Sequence, residues 1–187
     1  MSAYDTTLTP PVSDDDHIQG NPNAPVTMVE YGDYQCGYCA MAHPLVKQLQ
    51  QQHGDDMCLV FRHFPLRQMH PLAEAAAEVA EAAGLRGDFW AMHDWLYDNH
   101  DAWTTEGMPG LTQGLQQVGI EEAVAADAIE GGEPAGRVEE DLKSGAQSGV
   151  NSTPSFFING RLFEGDFRAL GEQIQAALAR NNGDPAQ

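Results

Sequence analysis

The chain has 187 residues, 42% of them hydrophobic, and its 28 acidic and 9 basic residues give a formal net charge of −19 at pH 7. This length suits a single domain with one substantial core. The negative charge disfavours nucleic acid and anionic membranes as partners, because both would repel the chain. Lys47 and Lys143 are the only lysines, so the composition is typical of a protein from a salt-accumulating halophile. An acidic protein from a GC-rich mesophile is the alternative interpretation.

The first 20 residues differ in composition from the rest of the chain. They are polar, contain prolines and carry the acidic run Asp14-Asp15-Asp16, so we expect residues 1–20 to form a tail or a strap before the first strand. Residues 21–187 are predicted to form one domain. The sequence shows neither a basic n-region with an apolar h-region nor 18 consecutive apolar residues, and it therefore predicts a cytoplasmic protein without a membrane span.

A pair of cysteines lies between a predicted strand and a predicted helix. Residues 26–31 form an apolar run typical of a buried strand, and apolar residues within 40–49 recur at the spacing of one helix face. Cys36 therefore falls at or near the first turn of the helix, where free N–H groups and the helix dipole lower a thiol pKa. Cys39, one turn further, should be more shielded. The spacing predicts a redox dithiol with Cys36 as the attacking sulfur and Cys39 as the resolving one.

The same cysteine spacing supplies half of many zinc sites, so the remaining sequence must be considered. Zinc normally takes four ligands, and no second C-x-x-C, C-x-x-H or H-x3-H pair follows. Cys58 alternates with apolar residues in a predicted strand and is expected to point into the core. We therefore expect no metal and no cofactor, and a metal-binding or inert cysteine pair remains the alternative.

A long helical region follows the predicted strand at residues 57–64. Pro71 opens an alanine-rich helix over 72–83 that Gly84 stops, and residues 89–97 carry aromatic side chains at helical spacing that we assign to the core. Three further short helices are predicted over 111–118, 120–129 and 134–146. A final amphipathic helix over 167–179 should pack on the sheet.

Three features accompany the dithiol. Pro44 lies five residues after Cys39, Glu30 lies six residues before Cys36, and Thr153-Pro154 precedes a second apolar strand pattern. Together with the dithiol they resemble the thioredoxin superfamily, and over residues 16–178 the chain is most similar to the DsbA-like thiol:disulfide oxidoreductases. The resemblance implies an α/β, thioredoxin-like fold with a helical insertion, about residues 71–147, between the second strand and the cis-proline strand.

The resemblance also implies roles for individual residues. Cys36 corresponds to the nucleophile, Cys39 to the resolving cysteine, Pro154 to a cis-proline and Glu30 to a buried acid below the cysteines. A buried Glu30 would have a raised pKa and could relay the proton that Cys39 loses, whereas a water-exposed strand-end acid is the alternative. The backbone of Thr153 would pair with an extended substrate. An ordinary proline at the start of a strand is the alternative for Pro154.

The expected function is therefore protein thiol:disulfide exchange through Cys36-Gly37-Tyr38-Cys39, with Gly37 and Tyr38 contacting the substrate together with the proline loop. The expected partners are protein or peptide thiols and disulfides and an unidentified redox partner, without nucleic acid or membrane.

One alternative function is a client-binding or chaperone-like module with a structural disulfide. Another is a glutathione-dependent isomerase or transferase, which would not need the second cysteine. Many DsbA-like proteins act outside the cytosol, so a periplasmic or extracellular location is the alternative, and the direction of electron flow stays open.

Overall fold

A computed structural model describes residues 6–183, and residues 1–5 and 184–187 lie outside the described part. The described strands form one sheet in the order β1-β3-β2-β4-β5. Their bounds are β1 His17–Gln19, β2 Val26–Gly32, β3 Met57–His63, β4 Ser155–Ile158 and β5 Arg161–Leu162. β2 runs parallel to β3, and the other neighbouring strands are antiparallel.

Helices follow β2, separate β3 from β4 and end the described chain. Their bounds are α1 Gly37–His53, α2 Ala73–Gly84, α3 Phe89–Asp98, α4 His100–Glu106, α5 Met108–Gln117, α6 Glu122–Glu130, α7 Glu133–Gln147 and α8 Leu170–Gly183. The predicted thioredoxin-like α/β fold with a helical insertion between β3 and β4 is confirmed. The short helix α4 was not predicted, because Trp103 is its one buried residue and its remaining sequence carries no helical pattern of apolar residues.

The central strand β2 separates two packing layers because its side chains alternate between the faces of the sheet. Val26 and Met28 pack with α1 and α8 on one face, whereas Val29 and Tyr31 pack on the other face with Leu8 and other apolar residues. Further along the first face, the insertion helices α2 to α7 form a separate core that includes both cysteines. The two cysteines thus lie where the sheet meets the insertion.

Part of the predicted tail belongs to the sheet. The strand β1 lies within residues 1–20 and pairs antiparallel with β3, with His17 opposite Phe61. Asp16, from the acidic run, is buried against Arg62, whose Nε and Nη2 donate to the two Asp16 carboxylate oxygens at 2.8 and 2.9 Å. No local pattern in the sequence predicts this pair, because Arg62 lies 46 residues away from Asp16.

Candidate active site

Cys36 and Cys39 lie at the N-terminal end of α1. Cys36 is the N-cap residue, and Cys39 lies in the first turn. Both side chains are unbridged in the structure, and Cys36 is 4% exposed while Cys39 is completely buried. The helix therefore directs its first unpaired N–H groups toward the Cys36 sulfur, which is the arrangement that stabilises a thiolate.

The two thiols differ strongly in acidity. The pKa of Cys36 is lowered from 9.0 to about 5, and the largest cause is a hydrogen bond from the Cys39 thiol. Hydrogen bonds from the Thr153 side chain and from the N–H groups of Cys39 and Tyr38 lower the pKa further. Together these hydrogen bonds outweigh burial, which raises the pKa. Burial raises the pKa of Cys39 well above its usual value, and its hydrogen bond to Cys36 and the charge of Glu30 add to the effect. At neutral pH one thiol is thus ionised and its neighbour is protonated.

Glu30 is a buried carboxyl group in β2. It is 2% exposed, and its Oε1 has no hydrogen-bond partner among the described residues. The pKa of Glu30 is raised from 4.5 to about 8, mainly by burial and to a smaller extent by the negative charge of Cys36. Glu30 lies two residues before the end of β2, so the interpretation as a water-exposed strand-end acid is wrong.

The loop before β4 reaches Cys36. The Thr153–Pro154 peptide bond is cis, and the Cys36 sulfur lies 3.5 Å from the Thr153 carbonyl oxygen, to which the thiol donates when it is protonated. These residues are 117 positions apart in the sequence. The structure thereby brings the two regions that were predicted separately to one place.

A cleft of about 1020 Å³ opens beside the dithiol. Cys36, Gly37, Tyr38 and Thr153 contribute to its wall together with residues from α1, from the loop after β3, and from α3 and α4. Three large, exposed apolar side chains line the cleft. Tyr38 is 65% exposed, Met41 is 53% exposed and Met69 is 71% exposed. Pro154 lines a neighbouring groove of about 750 Å³, which also includes Tyr38. Tyr38 therefore lies between two surfaces that can receive a substrate.

The loop between β2 and α1 is held by Asp33. Its Oδ1 accepts from the Gln35 N–H at 2.8 Å, and its Oδ2 accepts from the Leu66 N–H at 2.9 Å and lies 2.7 Å from His70 Nδ1. This carboxylate links the loop before Cys36 to the chain after β3. The sequence analysis did not identify it, because its partners become neighbours only in the folded chain.

Buried aromatic and histidine side chains surround the dithiol. Among them is His43, for which the sequence leaves open either an electrostatic effect on the dithiol or a surface or helix-packing position, and which is 4% exposed. Tyr34 hydroxyl and His93 Nδ1 are 3.0 Å apart, and the Tyr97 ring centroid lies 5.1 Å from that of His43. Tyr97 belongs to the aromatic run that was predicted to lie in the core. Its exposed fraction of 4% confirms that it is buried. No sequence signal distinguishes its hydroxyl from an ordinary core tyrosine.

Two groups of side chains in the described residues could each offer three ligand atoms to a metal ion. They are His17, His63 and Glu81, and His43, His93 and Asp94, with ligand atoms within 4.8 Å of one another in each group. In the first group both histidines contact the same Glu81 oxygen, at 2.7 and 2.6 Å. Neither group includes Cys36 or Cys39. Separately, no helix within residues 6–183 has the length and apolar composition needed to span a membrane.

Comparisons with known proteins agree with this geometry. Residues 12–178 match the family model described as Thioredoxin. Among solved structures, a thioredoxin-like oxidoreductase from Silicibacter pomeroyi DSS-3 superposes with a TM-score of 0.75 at 26% identity, covering 92% of this chain and 95% of that one. Wolbachia pipientis alpha-DsbA1 gives a TM-score of 0.78 at 19% identity, covering 90% and 94%.

Curated relatives are much longer proteins. The chain is 37% identical over 174 residues to Na(+)/H(+) antiporter NhaA 1 of Salinispora arenicola and 37% identical over 175 residues to NhaA 3 of Salinispora tropica. Each match covers 92% of this chain and 26% of the relative. The chain thus spans about a quarter of the length of these relatives.

Proposed function

This chain belongs to the thioredoxin family, and we propose that it exchanges protein thiols and disulfides through Cys36 and Cys39. Its DsbA-like fold supports a thiol-disulfide oxidoreductase role in general. The observation that carries the specific proposal is the contrast between the two thiols, since the pKa of Cys36 is lowered to about 5 while that of Cys39 is raised. An ionised nucleophile beside a protonated resolving thiol is what a two-step exchange requires.

In the first step the Cys36 thiolate attacks one sulfur of a substrate disulfide. A bond forms between Cys36 and that sulfur, the substrate disulfide breaks, and the other substrate sulfur leaves as a thiolate that takes a proton from water. Cys39 then loses its proton, and its thiolate attacks the Cys36 sulfur and displaces the remaining substrate thiolate. Two electrons have passed from the dithiol to the substrate, and the reverse sequence oxidises a substrate dithiol.

Glu30 is the proposed acceptor of the Cys39 proton. The charge of the Cys36 thiolate contributes to the raised pKa of Glu30. Formation of the mixed disulfide removes that charge, so the Glu30 pKa falls and its carboxylate becomes available as a base when Cys39 must be deprotonated. The first step therefore prepares the second.

The cleft beside Cys36 is the proposed substrate site. Gly37, Tyr38 and Thr153 line it, and a Cβ atom added at Gly37 would meet no atom within 4 Å, so there is open space beside Gly37. Pro154 borders the adjacent groove. We infer that an extended peptide lies against the Thr153 backbone and places apolar side chains on Tyr38 and Met41, which are exposed in the free protein.

The compartment then determines the direction of electron flow. Among reducing partners the dithiol would rest reduced and act as a reductase or isomerase, whereas among oxidising partners it would act as an oxidant. The proposal concerns the exchange chemistry and assigns no ion transport to this chain.

Insulin reduction in the presence of dithiothreitol tests the proposal. The wild-type protein should accelerate precipitation of the insulin B chain, and Cys36→Ser should abolish the acceleration. Cys58→Ser is the matched control, because Cys58 is equally buried but contacts Thr27 in the sheet, away from the dithiol. Unchanged activity of Cys36→Ser would refute the role of Cys36, and no acceleration by the wild type would leave a client-binding module. Activity that requires added glutathione would favour the glutathione-dependent alternative.

A further inference from the structure

Tyr97, near the C-terminal end of α3, has a buried hydroxyl group without a hydrogen-bond partner among the described residues. The residue is 4% exposed. Buried polar groups are nearly always hydrogen-bonded, and an exception in a native fold often marks a functional site. A phenylalanine would fill the same space without leaving an unpaired hydroxyl, so the oxygen itself needs an explanation.

The hydroxyl lies on the same face of β2 as Glu30. A Cβ atom added to Gly32 would lie 2.7 Å from the Tyr97 oxygen and 2.5 Å from the Phe61 ring, so the absence of a side chain at Gly32 makes room for the hydroxyl. Glu30 is two residues earlier in the strand, and residues two apart point to the same face. Glu30 Oε1 is also buried without a partner in the described chain. Two unpaired oxygens therefore occupy one face of one strand.

Cys39 borders the same region. It is completely buried in the core cluster that also contains Tyr97 and Phe61. The pKa of Tyr97 is raised well above its usual value by burial first and then by the charges of Cys39 and Glu30, so the phenol stays protonated and can donate.

Other titratable groups around this region already have partners or are neutral. Tyr34 pairs with His93 Nδ1 at 3.0 Å, and burial lowers the pKa of both His43 and His93. The groups whose charges act on the Tyr97 phenol are Cys39 on α1 and Glu30, Asp33 and Tyr34 on β2 and the following loop. The groups that act on its ring neighbours Tyr34 and His93 include His17 on β1, His43 and Lys47 on α1, His63 on β3, Glu81 on α2, Asp94 on α3 and Asp141 on α7. Cys36, the N-cap of α1, acts on Cys39 and Glu30. Lys47 is paired with Asp94 at 2.7 Å.

We propose that Tyr97 is a positioning residue for the resolving step, in which its hydroxyl donates a hydrogen bond to the negative charge shared between Cys39 and Glu30. The inference rests on the proposed exchange function. In that step the Cys39 proton passes to the Glu30 carboxylate, the Cys39–Cys36 bond forms, and the bond from Cys36 to the substrate sulfur breaks with its electron pair leaving on the substrate. The Tyr97 hydroxyl and Glu30 Oε1 are both unpaired before this step, so the hydrogen bond forms as the charge develops and then stabilises the transition state.

A single-turnover reaction with 5,5′-dithiobis(2-nitrobenzoate) separates the two steps. Attack by Cys36 releases the first coloured thiolate, and attack by Cys39 on the mixed disulfide releases the second. Rapid mixing from pH 4 to 8 should show that Tyr97→Phe slows the second release by about tenfold or more, in line with loss of a hydrogen bond to a charged group. The pH midpoint of the second release should move upward, while the first release changes by less than about twofold because Cys36 keeps its own hydrogen bonds.

Tyr31→Phe is the matched control, since Tyr31 is equally buried but points to the opposite face of β2, where its hydroxyl contacts Ser144 and Arg62. Its second release should match that of the wild type. An unchanged pH midpoint in Tyr97→Phe, or equal slowing by both variants, would overturn the inference.

A second variant preserves the shape of the side chain. With 3-fluorotyrosine at position 97, the more acidic phenol is a stronger donor, so the second release should become faster and its pH midpoint should fall. If Tyr97→Phe does not fold, no change with 3-fluorotyrosine would overturn the inference. Absence of the first release in the wild type, or a second release that persists in Cys39→Ser, would instead contradict the proposed exchange function.

Discussion

Ionisation of Cys36 should make the stability of the reduced protein depend on pH. Its pKa is about 5 in the folded protein against an ordinary value of 9.0, a difference of about 4 units. Because the folded pKa is the lower one, the stabilisation is complete above about pH 9 and is lost as pH falls to about 5. Each pH unit in this window corresponds to about 1.4 kcal/mol, so about 3 kcal/mol is present at pH 7. That is a sizeable part of the roughly 5–15 kcal/mol by which domains are stable.

Urea unfolding of the reduced wild type and of Cys36→Ser, between pH 4 and pH 7, measures this contribution. The wild type should gain about 3 kcal/mol relative to Cys36→Ser over that range, since serine does not ionise. Comparing the two proteins removes the pH dependence of groups that do not interact with Cys36, and Cys58→Ser should follow the wild type. A stability difference that stays constant with pH would refute both the lowered pKa and the nucleophile assignment that depends on it.

Three further predictions concern the carboxyl group, the redox potential and the surface charge. Because burial raises the pKa of Glu30 from 4.5 to about 8, the wild type loses stability as pH rises through this window. In urea unfolding at pH 7, Glu30→Gln should therefore be more stable than the wild type by about 3 kcal/mol. A less stable variant would contradict the burial argument. The pKa of Cys36 lies between the values of about 7 for thioredoxin and about 3.5 for DsbA. Glutathione titration should therefore give a reduction potential between about −270 and −120 mV. A reduction potential outside this range would contradict the relation between thiolate stability and oxidising strength. If the net charge of −19 reflects adaptation to salt, the melting temperature should rise steeply toward 1 M KCl, where the Debye length is about 3 Å. Sucrose, the uncharged control, should raise the melting temperature only as far as general solute exclusion does. A melting temperature that does not change with KCl would favour the acidic mesophile.

The features that were predicted correctly depend on short stretches of sequence. The strand, cysteine pair and helix around residues 26–49 are neighbours in the chain, so apolar periodicity alone places Cys36 at a helix N-terminus, whereas Cys39, which was expected one turn further, lies in the first turn. The same reasoning located the helical insertion, because its alanine-rich and aromatic faces repeat at helical spacing. The meeting of Thr153-Pro154 with Cys36 was implied by the family resemblance rather than by any local pattern.

The tertiary structure decided features that depend on distant residues meeting. The buried pair of Asp16 and Arg62 and the pairing of β1 with β3 tie down a segment whose local composition predicts a tail. The Tyr97 hydroxyl comes to lie beside β2 because α3 packs there and Gly32 leaves room. Local periodicity specifies which side chains are buried, but the identity of their neighbours depends on how distant elements pack. Sequence therefore located the cysteine pair and its helix, whereas packing determined the groups that surround the two thiols.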